Sequence, residues 1–121
     1  MNSHQAVLEL IETYFEGIYT GNADGLRHVF HPMAQATDRA MEQFRVRSAA
    51  EYIEGVASRQ SPQERGEARA MTVLAVEVFD GVASVTARLE MLGRRYYNVL
   101  SLLRDEAGWR IVHKLFGNIE S

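Results

Sequence analysis

Cysteine is absent from the 121 residues, which excludes a disulfide framework, a thiolate metal site and a cysteine nucleophile, and fits a reducing compartment. Lysine occurs once, at Lys114. A basic start followed by an unbroken apolar run is also missing. The first helix-like segment carries Glu9, Glu12 and Glu16, so neither a secretion signal nor a membrane span is expected, and the chain reads as soluble and cytoplasmic. No basic patch stands out: the formal charge is −3 with scattered signs, which argues against nucleic acid or an anionic membrane as partner. The arginines between residues 88 and 114 are most cheaply read as a solvated sheet rim. The glycines form no phosphate loop and no serine sits in a nucleophile elbow. With no repeat, low-complexity tract or linker, residues 1–121 are expected to form a single domain around one core.

What is present begins with helical spacing. Between Ser3 and Thr20, Val7, Leu8, Ile11, Phe15 and Ile18 fall on one side and the glutamates on the other, which predicts an amphipathic helix closed by Gly21-Asn22. Asn22 can cap a short second helix that carries Leu26, Val29 and Phe30 inward and ends at Pro32. Residues 33 to 46 read as a strand pair turning at Asp38-Arg39. Ser48-Ala-Ala-Glu51 is a capping box ahead of the stripe Tyr52, Ile53 and Val56, so a third helix is expected to run to about Arg59.

After the polar connection QSPQERGE, residues 60 to 67, the apolar period changes to two. Residues 68–79, 82–91, 95–104 and 109–117 predict four strands, linked at Asp80-Gly81, Gly93-Arg94 and residues 105–108 as consecutive hairpins. Helices followed by strands give an α+β domain with the helices on one sheet face. The strand from Val82 divides cleanly, with Ala83, Val85, Ala87, Leu89 and Met91 on one side and Ser84, Thr86, Arg88 and Glu90 on the other. Later strands carry apolar bulk on both sides, which predicts a homodimer through the outer sheet face.

The segments YFEGIYTGNADGLRHVFHP, FDGVASVTARLEMLGRRYYNVLSLL and GWRIVHKLFG, in that order, together resemble the nuclear transport factor 2-like superfamily. The resemblance is closer to its branch of small bacterial proteins labelled "putative lumazine-binding" or polyketide-cyclase-like. It covers nearly the whole chain and implies a cone-shaped, cystatin-like α+β roll: three N-terminal helices packed on a strongly curved antiparallel sheet, with a central pocket. Members of that superfamily use the pocket for isomerisation, dehydration, cyclisation, ligand storage and protein docking, so the resemblance does not select a chemistry.

Three residues are candidates for catalysis. Asp38 lies about where isomerase and cyclase relatives place a carboxylate base, and a carboxylate among apolar groups would have its pKa raised toward that task; the local sequence favours the other reading, a turn with the carboxylate in water. Tyr14 lies near where those relatives place an oxyanion donor, or is a core aromatic whose hydroxyl reaches the rim. A second acidic donor has no convincing equivalent, the nearest polar groups on the expected inner face being Tyr97 and His113. His113 shares a strand side with Trp109 and Ile111 and could enter the pocket as a base, or be a satisfied core histidine. Lys114 would then face outward toward Glu90. With the faces reversed Lys114 would enter the pocket, where a desolvated amine could bind an anion or form a Schiff base.

The expected pocket lining is aromatic and sulfur-rich: Phe30, Met33, Met41, Phe44, Tyr52, Met91 and Trp109, with Tyr14, Tyr97 and His113 as polar contacts. His28 and His31 stand three apart without an acidic residue at ligand spacing, so no metal is expected, and no cofactor either. The leading expectation is a dimeric small-molecule-binding domain for a flat aromatic or polycyclic ligand. Two alternatives stand beside it: a cofactor-independent isomerase, dehydratase or cyclase with Asp38 or His113 as base, and a dimeric protein-docking module.

Overall fold

A computed structural model describes residues 2–119. Helix α1 runs Ser3–Thr20, where the Asn2 side chain and Gln5 form a reciprocal cap, and Gly21 ends it in the left-handed region at φ 73°. That conformation suits a residue without a Cβ. Helix α2, Ala23–Val29, is capped by the Asn22 side chain, and α3, Ala49–Ser58, by the expected Ser48–Glu51 box. Strands β1 (Phe30–Ala40), β2 (Gln43–Ser48), β3 (Met71–Phe79), β4 (Val82–Met91), β5 (Arg94–Asp105) and β6 (Gly108–Asn118) form one sheet in the order β2-β1-β6-β5-β4-β3. The sheet is curved and does not close. All neighbours are antiparallel except β1 and β6, which run parallel.

One core lies between the helices and the inner face of the sheet. It is built from Val7, Ile11, Phe15 and Ile18 of α1, Leu26 and Val29 of α2, Tyr52, Ile53 and Val56 of α3, and the inward residues of β4 to β6. The alternation expected in β4 is the alternation found, with Ala83, Val85, Ala87, Leu89 and Met91 buried. Gly17 lets α2 approach α1, since a Cβ there would lie 2.7 Å from Leu26 Cδ2.

The structure corrects three local expectations. The first hairpin turns at Met41-Glu42, both at positive φ (52° and 67°), and not at Asp38-Arg39, so Asp38 stands within β1 opposite Arg45. The β4–β5 turn is centred on Leu92-Gly93, at φ 55° and 75°, one residue before the expected pair. Pro32 does not end a helix; it sits inside β1 where the register with β6 shifts between Phe30 and Gln35, the kind of irregularity that accommodates a residue lacking an N–H.

A further strand-level finding concerns β6. Leu102 of β5 pairs with Ile111, but the next residue, Ser101, pairs with His113. Val112 is therefore an extra residue, a bulge, and a bulge changes which face each later side chain takes. Trp109 and Ile111 point inward as expected, yet beyond the bulge Lys114 and Phe116 also point inward and His113 points outward.

Candidate functional site

Inside the curve of the sheet lies a recess of about 350 Å³ bounded by β1, β2, α3 and the adjoining ends of β4, β5 and β6. Its deepest wall comprises Tyr52 and Val56 from α3, Leu89 from β4, Asn98 from β5 and Lys114 from β6, all buried. Arg39 and Met41, at the first hairpin, and Arg94 stand nearer the mouth, while Arg45, Arg47 and Arg59 complete the sides. Six cationic side chains thus line the recess against one carboxylate, Asp38.

Asp38 is already engaged. Arg45 donates to it through Nε at 2.9 Å and Nη2 at 2.7 Å, a two-pronged contact, and Arg47 Nη2 lies 4.0 Å away. The hydrogen bond to Asp38 holds the Arg45 guanidinium above its usual pKa. Register explains the pairing: Asp38 and Arg45 are direct cross-strand partners on the inner face, where opposite charges attract at short range. The Asp38 side chain is 9 % exposed, so the turn reading, with its carboxylate in water, is corrected.

The arginines are less well supplied. Arg59 follows α3, and its Nε and Nη2 are buried without a hydrogen-bond partner, as is Arg47 Nε. Arg47 also lies over the Tyr52 ring, 5.3 Å from its centroid. Buried polar groups in native proteins are nearly always bonded, and an orphaned set beside a cavity calls for a partner.

Lys114, 2 % exposed, occupies the floor. Its neighbours across the sheet are Ala36 on β1 and Leu100 on β5. Nζ donates to the Tyr52 hydroxyl and lies 4.3, 4.5 and 5.1 Å from the ring centroids of Tyr52, Phe116 and Tyr14. Burial pushes the Lys114 amine well below its ordinary pKa, and the positive charges of Arg59 and Arg47 push it further. The rings attract a cation weakly, but desolvation dominates for an amine with a single hydrogen-bond acceptor. Burial pushes the Tyr52 phenol up to about 12. Tyr14 is raised too, by burial first and then by Tyr52; its hydroxyl donates to Asn98 Oδ1.

Of the residues expected at the site, Asp38, Met41, Tyr52 and Met91 line the recess. Tyr14 lies behind the floor, and Phe30 packs in the core between Tyr14 and Tyr52, 6.0 and 5.9 Å from their rings. The others are elsewhere. His113 is on the outer face against Thr37 Oγ1 at 3.0 Å, because the Val112 bulge reverses the alternation. Tyr97 is also on the outer face, opposite Gly117 and Arg88. Met33 and Phe44 are 81 % and 79 % exposed. Trp109 lies at the other end of β6, under Arg104 at 5.5 Å. The expected Lys114–Glu90 pair does not form: Glu90 meets Arg88 and Arg95, each at 3.8 Å. Asp38, His113 and Tyr14 therefore do not converge on one point. Among the described residues no group of three His, Cys, Asp or Glu is placed to hold a metal ion, and no helix is long and apolar enough to cross a membrane.

Sequence reading missed Arg45, Arg47, Arg59, Arg94 and Asn98. Arg45 and Arg47 flank Val46 with period two, which places both on one face of a strand and could have marked them.

Comparison with known proteins fits this architecture. The chain resembles an NTF-2-like protein of unknown function from Silicibacter pomeroyi DSS-3, with a TM-score of 0.87 at 21 % identity over 98 % of this chain and 100 % of that one. It resembles an NTF2-like protein of unknown function from Shewanella baltica OS155 with a TM-score of 0.87 at 17 % identity over 98 % and 94 %, and the CaMKII hub of S. rosetta with a TM-score of 0.74 at 18 % identity over 98 % of both. No curated protein matches the chain. The sequence profile of the family described as "Putative lumazine-binding" matches residues 2–117. Three helices on a six-stranded, curved, unclosed sheet are the NTF2-like α+β fold expected from the sequence, and the chain belongs to that "Putative lumazine-binding" family.

Proposed function

We propose that this protein binds a planar small molecule carrying at least one anionic group, a carboxylate or an acidic heterocycle, in the recess beside α3. One observation carries the reading: Arg59 and Arg47 hold buried N–H donors with no partner, in a recess whose single carboxylate is already paired with Arg45. A bound anion would satisfy those donors, and Tyr52, Tyr96 and Phe116 would supply aromatic walls for a flat ring. The family description agrees in kind, since a lumazine is a planar nitrogen heterocycle. The flat aromatic ligand expected from sequence is thereby refined to a charged one.

Titration calorimetry with lumazine, pterin-6-carboxylate and a neutral pterin tests this. Pterin-6-carboxylate should bind more tightly than the neutral pterin, with affinity falling as salt rises. Arg59→Gln should weaken it by about 10- to 100-fold, the loss expected for hydrogen bonds to a charged group. Equal affinity for the neutral and anionic pterins, or an unchanged affinity in Arg59→Gln, would count against the proposal.

A second reading concerns the outer face. Val46, Leu115, Val99, Thr86 and Ala75 form a row across the sheet through Thr37, and Val82, Leu103, Phe79 and Tyr97 extend its exposed apolar surface. We propose that this face pairs with a second copy of the chain. Native mass spectrometry should give a dimer that Leu115→Arg converts to monomer. A monomeric parent at micromolar concentration is the opposing result.

A further inference from the structure

We infer that Lys114 is a covalent centre, forming an imine with the carbonyl carbon of an oxo acid, or an anionic aromatic aldehyde, whose acidic group is held by Arg47 and Arg59. The inference rests on the anion-binding reading above and adds a reaction to it.

Composition supplies the first argument. The chain has 13 basic residues, and 12 of them are arginine. Every other Lys-or-Arg position is thus met with guanidinium, and a side-chain primary amine is used at one place only, the floor of the cationic recess. A guanidinium cannot lose its proton in a protein, whereas a buried amine can, and only the neutral amine is a nucleophile. A residue needed only for positive charge would not have to be lysine.

Geometry supplies the second. Nζ reaches the recess from β6 because the Val112 bulge turns Lys114 inward. It is fixed by one hydrogen bond, to the Tyr52 hydroxyl, and is flanked by the rings of Tyr14, Tyr52 and Phe116. The charged groups facing it are Arg59 and Arg47, with Asp38 contributing least and already bonded to Arg45. No carboxylate is hydrogen-bonded to the amine among the described residues, so nothing there stabilises an ammonium by pairing.

The step balances without an oxidant or reductant. The Nζ lone pair attacks the carbonyl carbon, and the C=O π pair moves to oxygen, which takes a proton from the Tyr52 hydroxyl. Nitrogen returns a proton to that hydroxyl, the resulting carbinolamine loses water, and a C=N bond replaces C=O. Tyr52 suits this relay because its phenol stays protonated through neutral pH.

The test uses the full chain with two probes, phenylpyruvate and pyridoxal 5′-phosphate. Each is incubated at neutral pH, reduced with sodium borohydride, and the adduct located by peptide mass spectrometry. Binding of 3-phenylpropionate, which lacks the carbonyl, is measured separately by calorimetry. The expected result is a stable adduct on Lys114 exceeding that on the α-amino group by about an order of magnitude, the latter being mostly protonated at pH 7. Lys114→Met and Lys114→Arg should each abolish the Lys114 adduct, and Arg59→Gln should reduce it. Binding of 3-phenylpropionate without a Lys114 adduct from either probe would overturn the imine and leave the anion-binding reading standing. Absence of both binding and adduct would overturn the two together. Adduct formation on Lys114 unchanged in Arg59→Gln would overturn the assignment of the anion to the arginines.

Discussion

Lys114→Met should make the protein more stable at pH 7, by about 1–3 kcal/mol, while removing a rise of stability with pH. Burial takes the amine out of water and leaves it one hydrogen-bond acceptor, a cost that an apolar side chain of similar length avoids. The folded-state pKa of Lys114 lies well below its ordinary 10.5. Between those two values the unfolded chain binds more protons than the folded one, so stability rises with pH by up to about 1.4 kcal/mol per unit. Tyr14 and Tyr52 act in the opposite sense. Their folded-state values lie above the ordinary 10.0, at about 12 for Tyr52, so their contribution is intact below pH 10 and is lost as pH climbs beyond it. Urea unfolding measured from pH 6 upward should therefore show stability rising to a maximum near pH 10 and then falling. In Lys114→Met the rise should flatten and the alkaline fall remain. A slope unchanged by the substitution would mean that Lys114 keeps its proton in the folded state.

Gly17→Val should destabilise the fold by about 3 kcal/mol, near the upper end of what overpacking costs. Gly17 is buried in α1, and an added Cβ would meet Leu26 Cδ2 at 2.7 Å and Cγ at 2.8 Å. Leu26 is fully buried and has no free side toward which to retreat. Replacing glycine inside a helix normally gains up to about 1 kcal/mol, so a net loss isolates the clash between α1 and α2. The double variant with Leu26→Ala tests that cause. Leu26→Ala alone should cost about 2–5 kcal/mol through its cavity, but the valine methyls would partly fill that cavity, so the double variant should be more stable than the sum of the singles predicts. Additive losses in chemical denaturation would show that the two side chains do not compete for the same space.

Legibility in the sequence followed the strength of local rules. Helix α1 was readable because its caps and its apolar spacing agree, and α3 because Ser48 and Glu51 satisfy each other's backbone donors. Strand β4 was readable because each alternate residue is buried. The first hairpin turn was misplaced for a physical reason: Met41 and Glu42 adopt positive φ without the asparagine or glycine that usually marks such a turn, whereas Asp38-Arg39 has the composition of a turn and the position of a strand. The recess, expected to be aromatic and sulfur-rich, was misread because much of its polarity comes from β2 and the end of α3. Arg45, Arg47 and Arg59 reach it from there, and their convergence depends on tertiary placement. The choice between His113 and Lys114 was legible only as a pair of alternatives, since counting by twos cannot reveal a residue left over.

That leftover residue makes the chemistry of the cavity wall a matter of reading frame. If the bulge were ironed out with Val112 kept, so that Val112 paired with Ser101, His113 would fall opposite Leu100 and present imidazole where the amine now stands, with no codon for either group altered. A relative that pairs this strand without the bulge could thus exchange one functional group for the other, and two chains with the same His-Lys dipeptide in this strand could offer a ligand entirely different reactivity.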